Sequence, residues 1–170
     1  MIVAIFGQSC TGKTSLANAL APVLGYRVRH CGDAVREVAK SLRLTYEALS
    51  DDHHRTIDDA TRAWSQDYLP CIVEGRFLDR VLAASASVLL VHLVASEEVR
   101  LGRWRSRTSQ PLSREWLNAN DARELAFRVR LYGADGSLIP SLKLDTSECT
   151  VPYCTAKVTA LLEPHHAPRD

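Results

Sequence analysis

A chain of 170 residues, 46% hydrophobic and 24% charged, has the size and make-up of one domain with a proper core. With 21 basic and 20 acidic residues the net charge is +1, so nothing in the overall balance draws the chain to nucleic acid or a membrane surface. No apolar run approaches the length of a membrane span, and the stretch from Met1 to Gly7 is too short, and lacks the charged flank, for a signal peptide.

The first predicted element is a buried strand, Ile2-Val3-Ala4-Ile5-Phe6, followed by Gly7-Gln8-Ser9-Cys10-Thr11-Gly12-Lys13-Thr14 and then by helix-forming residues from Ser15 to about Leu24. Strand, G-x-x-x-x-G-K-[ST], helix is the setting in which this motif cradles phosphates. Gly7 and Gly12 let the backbone curl so that successive N–H groups face phosphate oxygens, and the new helix adds its positive end. Lys13 brings a full charge to the β- and γ-phosphates, and the Thr14 hydroxyl can join the shell of Mg²⁺. The loop residues Gly7 to Ser15 are therefore the expected ATP site.

Next comes a short strand, Tyr26 to Cys31, with Asp33 placed to cap a helix over 34–40. Apolar positions Ile57, Ala60, Trp64 and Tyr68 recur at helical spacing within a longer helix over about 45–68. Cys71-Ile72-Val73 reads as a strand buried on both faces, and it delivers Glu74-Gly75-Arg76 at its carboxyl end. A helix over 77–84 precedes the fourth strand, 87–94. The next helix begins at Ser96-Glu97-Glu98 and carries Arg100, Arg103, Arg105 and Arg107. After a break at 109–111 come a long helix over 113–132, a turn at 133–136, a fifth strand over 142–145, a last helix over 154–162 and a loose tail, 164–170.

Alternating strands and helices predict a parallel α/β sheet, whose ligands sit at the carboxyl ends of the strands. That rule gathers the phosphate loop, Asp33, Glu74, Arg76 and the arginine helix. Glu74 is placed to hold Mg²⁺ with Thr14, and Arg76 to bind a phosphate. Arg100, Arg103 and Arg107 share one helix face with no acidic residue interleaved, a concentration of charge that repels itself until anions arrive. A nucleic-acid patch is the rival reading of that face, but Trp104 is its only aromatic. The odd set of 5 cysteines, without a C-x-x-C pair, reads as reduced thiols in a cytoplasmic protein, and His53-His54 and His165-His166 as surface residues.

These features resemble the P-loop nucleoside monophosphate kinases, most closely the short cytidylate kinases of archaeal type. The resemblance rests on Gly32-Asp33-Ala34-Val35-Arg36-Glu37-Val38-Ala39-Lys40, on Ile72-Val73-Glu74-Gly75-Arg76, on the lid-like run from Val99 to Arg107, on Arg128-Val129-Arg130-Leu131-Tyr132-Gly133 and on Leu144-Asp145-Thr146-Ser147. It implies a three-layer P-loop NTPase fold with a five-stranded parallel sheet in the order 2-3-1-4-5. It also implies a single kinase domain over 1–163, with short acceptor-binding helices in about 33–69 and an Arg-rich lid at about 100–114. By the same resemblance Arg36 and Arg76 face the acceptor phosphate, Arg103 and Arg107 the donor, and Arg128 the transferring group. Asp58 and Arg62 lie where the acceptor base would be read. The family's loop has Pro and Gly where this chain has Ser9 and Cys10.

The expected activity is phosphoryl transfer from ATP·Mg²⁺ to CMP, dCMP or a related monophosphate by a monomeric enzyme with small-molecule partners. Two alternatives stand beside it: a kinase of a hydroxyl acceptor (sugar, cofactor precursor or antibiotic) with Asp33 as base, and a nucleotide-binding switch without acceptor chemistry.

Overall fold

The structure, a computed structural model, describes residues 1–85, 87–107, 113–134 and 139–162. Five parallel strands form one sheet in the order β2-β3-β1-β4-β5, where β1 is Ile2–Phe6, β2 Arg27–His30, β3 Cys71–Gly75, β4 Val88–Val94 and β5 Leu142–Asp145. This is the expected order. β1 lies at the centre with every residue buried, as a strand covered on both faces requires.

Because side chains alternate across a strand, β1 feeds two cores. Val3 and Ile5 pack with Leu16, Ala17 and Leu20 of α1 (Lys13–Leu24) and with Cys154, Val158 and Leu162 of the last helix, Val151–Leu162. Ile2, Ala4 and Phe6 face the opposite way, onto Leu78, Val81 and Leu82 in and just after the short helix Leu78–Val81. A smaller cluster of Ala39, Leu49 and Ile57 joins α2 (Cys31–Ser41) to α3 (Asp51–Asp67). The short helix is α4, and α5 (Glu97–Arg107), α6 (Arg114–Tyr132) and α7 (Val151–Leu162) complete the chain.

Two boundaries differ from expectation for local reasons. The second helix starts directly at the end of β2, so Asp33 lies inside its first turn, where it suits the helix dipole, instead of capping it. The stretch 45–68 divides into a short 3₁₀ turn, Tyr46–Ala48, and α3, because Ser50 caps α3 by accepting from the His53 N–H. The His53 ring completes that cap by accepting from the Ser50 N–H at 3.1 Å, a reciprocal capping box. Its neighbour His54 packs edge-on against Phe127 of α6 at 4.6 Å. The two histidines read as surface residues therefore hold the N-terminal end and one flank of α3. The break at 109–111 and the tail 164–170 lie outside the described residues, as do His165 and His166. Among the described residues no helix is long and apolar enough to cross a membrane.

Candidate active site: the phosphate loop and its braces

The loop between β1 and α1 is built on backbone that side chains cannot share. Gly7 has φ +144, and a Cβ there would lie 2.2 Å from the Leu93 carbonyl oxygen of β4. Gly12, at φ 93, occupies the N-cap of α1, and no side chain among the described residues caps that end. The first N–H groups of the helix are thus left facing the loop, the arrangement that receives an anion. Replacing Gly7 by alanine forces the loop off β4, so we expect a loss of about 3 kcal/mol or more of stability together with loss of ATP binding. An unchanged thermal midpoint would show that the loop tolerates a shift.

Cys10 also has positive φ, at 63, a strained place for a side chain and the point where the resembling family carries Gly. Its carbonyl is held by Arg103, whose Nη1 donates to it at 3.1 Å and to Thr146 Oγ1 at 2.8 Å, while Nη2 donates to the Thr146 carbonyl at 2.7 Å. The Thr146 hydroxyl lies 2.9 Å from the Thr11 carbonyl, and the Thr11 hydroxyl donates to the Gln8 carbonyl at 2.9 Å. Arg100, 3% exposed, donates from Nε to the Ser9 carbonyl at 2.8 Å and from Nη1 to Gln8 Oε1 at 3.1 Å.

The Arg100 guanidinium is also paired with both oxygens of Asp121 on α6, at 2.6 and 2.7 Å. Burial works to lower the Arg100 pKa, but the Asp121 carboxylate outweighs it and the net displacement is upward. This corrects the expectation of a self-repelling arginine face. The neutralising carboxylate comes from another helix, and Arg100 and Arg103 serve as braces of the loop. Arg107 is exposed at the end of α5 and, with Gly12, Ser15, Arg103 and Thr146, lines a cavity of about 280 Å³ beside the loop.

Lys13 donates to the Gln8 carbonyl at 2.7 Å. Burial pushes its ammonium down to about 8, against the pull of Glu74 and Glu124 and assisted by the nearby charge of Arg76. A phosphate would restore the charged form, so at pH 8–9 we expect ATP binding to take up protons. Calorimetry in buffers of different ionisation enthalpy measures this, and Lys13→Met should remove the uptake. Equal heats in all buffers for the unsubstituted protein would contradict it.

Thr14 Oγ1 lies 3.4 Å from Glu74 Oε1, and the same oxygen is 3.1 Å from His30 Nδ1. This pair of hard oxygen donors at the base of the loop fits Mg²⁺. Arg76, one residue beyond β3, pairs at 2.9 Å with Glu124 Oε1 on α6. Ser9 donates to that same oxygen at 3.0 Å, which places the Arg76 guanidinium beside the phosphate loop. Beneath Gly75, burial and the nearby Glu74 push the Cys31 thiol up to about 12, so it is no nucleophile at neutral pH.

The remaining expected residues are more scattered. Arg36 pairs with Asp33 on its own exposed helix. Asp58 accepts from the Tyr132 hydroxyl at 2.7 Å, and burial raises its pKa. Arg62 is engaged by Asp59 and by the Val81 carbonyl. Arg128 pairs with the buried Asp79 on α4. The loop, Glu74, Arg76, Arg103 and Arg107 are thus brought together, whereas Arg36, Asp58, Arg62 and Arg128 are held by partners of their own. Sequence reading missed Asp121 and Glu124, whose one visible signal was two carboxylates three apart in the middle of a helix, and gave Thr146 no role of its own within the quoted run Leu144-Asp145-Thr146-Ser147.

A family model described as AAA domain matches residues 3–125. A cytidylate kinase of Methanothrix thermoacetophila is 31% identical over 140 residues, 78% of each chain. One from Thermoplasma volcanium is 29% identical over 145 residues, 79% of this chain and 76% of that protein. Among solved structures, the shikimate kinase of Bacteroides thetaiotaomicron superposes with a TM-score of 0.66 at 13% identity, covering 96% of this chain and 98% of that one. Sequence match, sheet order and loop geometry agree: the chain belongs to the AAA-domain family of P-loop proteins, as a P-loop kinase whose curated relatives are archaeal cytidylate kinases.

Proposed function

We propose that the protein is an ATP-dependent nucleoside monophosphate kinase that transfers the γ-phosphoryl group of ATP to the phosphate of CMP, dCMP or a related monophosphate. The observation that carries this reading is Arg76: its guanidinium is anchored through Glu124 to the same oxygen as Ser9 of the phosphate loop. A cation at that distance from the donor cradle suits an acceptor that arrives with its own negative charge. The cytidylate kinase relatives support the choice of base.

Residues 33–69 form the acceptor-binding region in this reading, and about 100–114 the lid. The amides of Gly7 to Ser15 and the Lys13 ammonium hold the β- and γ-phosphates, and Thr14 and Glu74 hold Mg²⁺. Bound there, Mg²⁺ would offset the charge that builds on the phosphate oxygens. Arg76 and Arg36 align the acceptor phosphate, whose oxygen is already anionic and needs no strong base. Arg107 at the rim of the cavity, and Arg128 once released from Asp79, bring positive charge to the transferring group. Catalysis is then positioning and charge neutralisation.

The hydroxyl-acceptor reading draws on the fold shared with shikimate kinase and on Asp33 as base. The Asp33 carboxylate is engaged by Arg36 and is not left open to a hydroxyl. ADP release measured over a panel of monophosphates and hydroxyl compounds decides between the two. Turnover with CMP or dCMP supports the first reading; turnover only with a hydroxyl compound overturns it.

A further inference from the structure

Glu124 is a carboxylate 9% exposed in the middle of α6, a position where a charge is retained only if it is paired. Its Oε1 atom is the meeting point of three donors from three parts of the chain. Ser9 Oγ comes from the phosphate loop at 3.0 Å, Arg76 Nη1 from the end of β3 at 2.9 Å, and Asn120 Nδ2 from the preceding turn of α6 at 2.7 Å. The Glu124 charge also favours the ammonium of Lys13 and the guanidinium of Arg100. One carboxylate is therefore common to the donor cradle, the arginine at the acceptor side and the brace behind the loop.

We infer that Glu124 is a positioning residue: it fixes the Arg76 guanidinium relative to the phosphate loop and so sets the separation of the donor and acceptor phosphates. The inference rests on the nucleotide-kinase reading above. It also explains Ser9, the departure from Pro in the loop of the resembling family. A proline there has no hydroxyl to give, whereas Ser9 ties the loop to α6 through Glu124. An Arg76 held by one Nη keeps other N–H groups of its fork for a phosphate, and the carboxylate lowers the cost of bringing Arg76, Lys13 and Arg100 together before any nucleotide binds.

The test is calorimetric titration of ATP, of CMP and of an adenosine–cytidine dinucleoside pentaphosphate, a ligand that spans both sites, into the full-length protein and E124Q. Glutamine keeps the volume and an oxygen for Ser9, but lacks the charge that holds Arg76. Affinity for the two-headed ligand should fall about tenfold or more, and ATP affinity should change less than about twofold. In steady state the acceptor KM should rise while the ATP KM stays. S9A should show the same pattern at about a third of the size, and the two effects should be non-additive in S9A/E124Q. If E124Q fails to fold, S9A carries the test by itself.

Tight binding of the two-headed ligand by the unsubstituted protein, undiminished in the variants, overturns the role of Glu124 and leaves the kinase reading standing. Equal losses for ATP and the two-headed ligand also overturn it, since they mark a purely structural residue. An unsubstituted protein that binds the two-headed ligand no better than ATP removes the nucleotide-kinase reading and this inference with it.

Discussion

Lys13→Ala is expected to abolish turnover, with a fall in kcat of about a thousandfold or more, and to leave the fold intact. The size follows from taking a full charge away from where negative charge builds in the transition state, within a partly buried site. The intact fold follows from the bonding: among the described residues Lys13 donates only within its own loop, to the Gln8 carbonyl. Its pKa supplies the sign of the stability change. A value pushed from 10.5 down to about 8 means that the ligand-free fold disfavours the ammonium. The unfolded chain binds more protons between those values, so stability rises with pH across about 8 to 10.5, and below 8 the full penalty is present. Removing the amine at pH 7 should therefore leave the thermal midpoint unchanged or slightly higher. ADP release and thermal melting measure the two halves separately, and a variant that keeps its turnover removes Lys13 from the donor site.

Arg76→Ala is expected to raise the KM of the acceptor by about ten- to a hundredfold, the range of one or two charge-assisted hydrogen bonds. The KM for ATP should move less than about threefold. The substitution also strands the Glu124 carboxylate, which keeps Ser9 and Asn120 as donors but loses its cation. A modest loss of stability accompanies the kinetic effect for that reason. Arg36→Ala makes a useful comparison, because Arg36 is exposed and paired with Asp33 on a helix of its own. Its effect on acceptor KM depends on the acceptor region closing over the substrate. A panel in which Arg76→Ala damages ATP and acceptor KM alike assigns Arg76 to the donor side and sinks the acceptor role.

The elements that bear the phosphate loop were legible in the chain because each depends on near neighbours. A five-residue apolar run makes β1, two glycines make the turn, and helix-forming residues make α1. The alternation of strands and helices predicts a parallel sheet, and the order 2-3-1-4-5 that the family resemblance implies is the one observed. Glu74 and Arg76 were placed at the loop by their position at the end of a strand, and there the fold puts them.

The arginine helix shows where local reading stops. Within α5 the face of Arg100, Arg103 and Arg107 has no acid to offset it, so charge counting along the helix predicts repulsion. In three dimensions Asp121 and Glu124 reach the same region from α6, and the carbonyls of Cys10 and Thr146 take up Arg103. Ser9 and Glu124 are 115 residues apart, and neither belongs to a spacing that announces the other. Arg36, Asp58 and Arg62 stood near the expected acceptor region for reasons of motif; Arg36 and Arg62 pair with Asp33 and Asp59 three residues earlier on their own helices, whereas only packing could bring the Tyr132 hydroxyl to Asp58.

By itself the amino-acid sequence determined the class of fold, the phosphate loop and the strand-end residues beside it, since backbone curvature, helix polarity and strand burial are set by residues a few positions apart. Tertiary structure decided which charges line the cavity beside the loop and which are braces, because a buried guanidinium takes whichever carboxylate or carbonyl the packing of separate helices brings within about 3 Å.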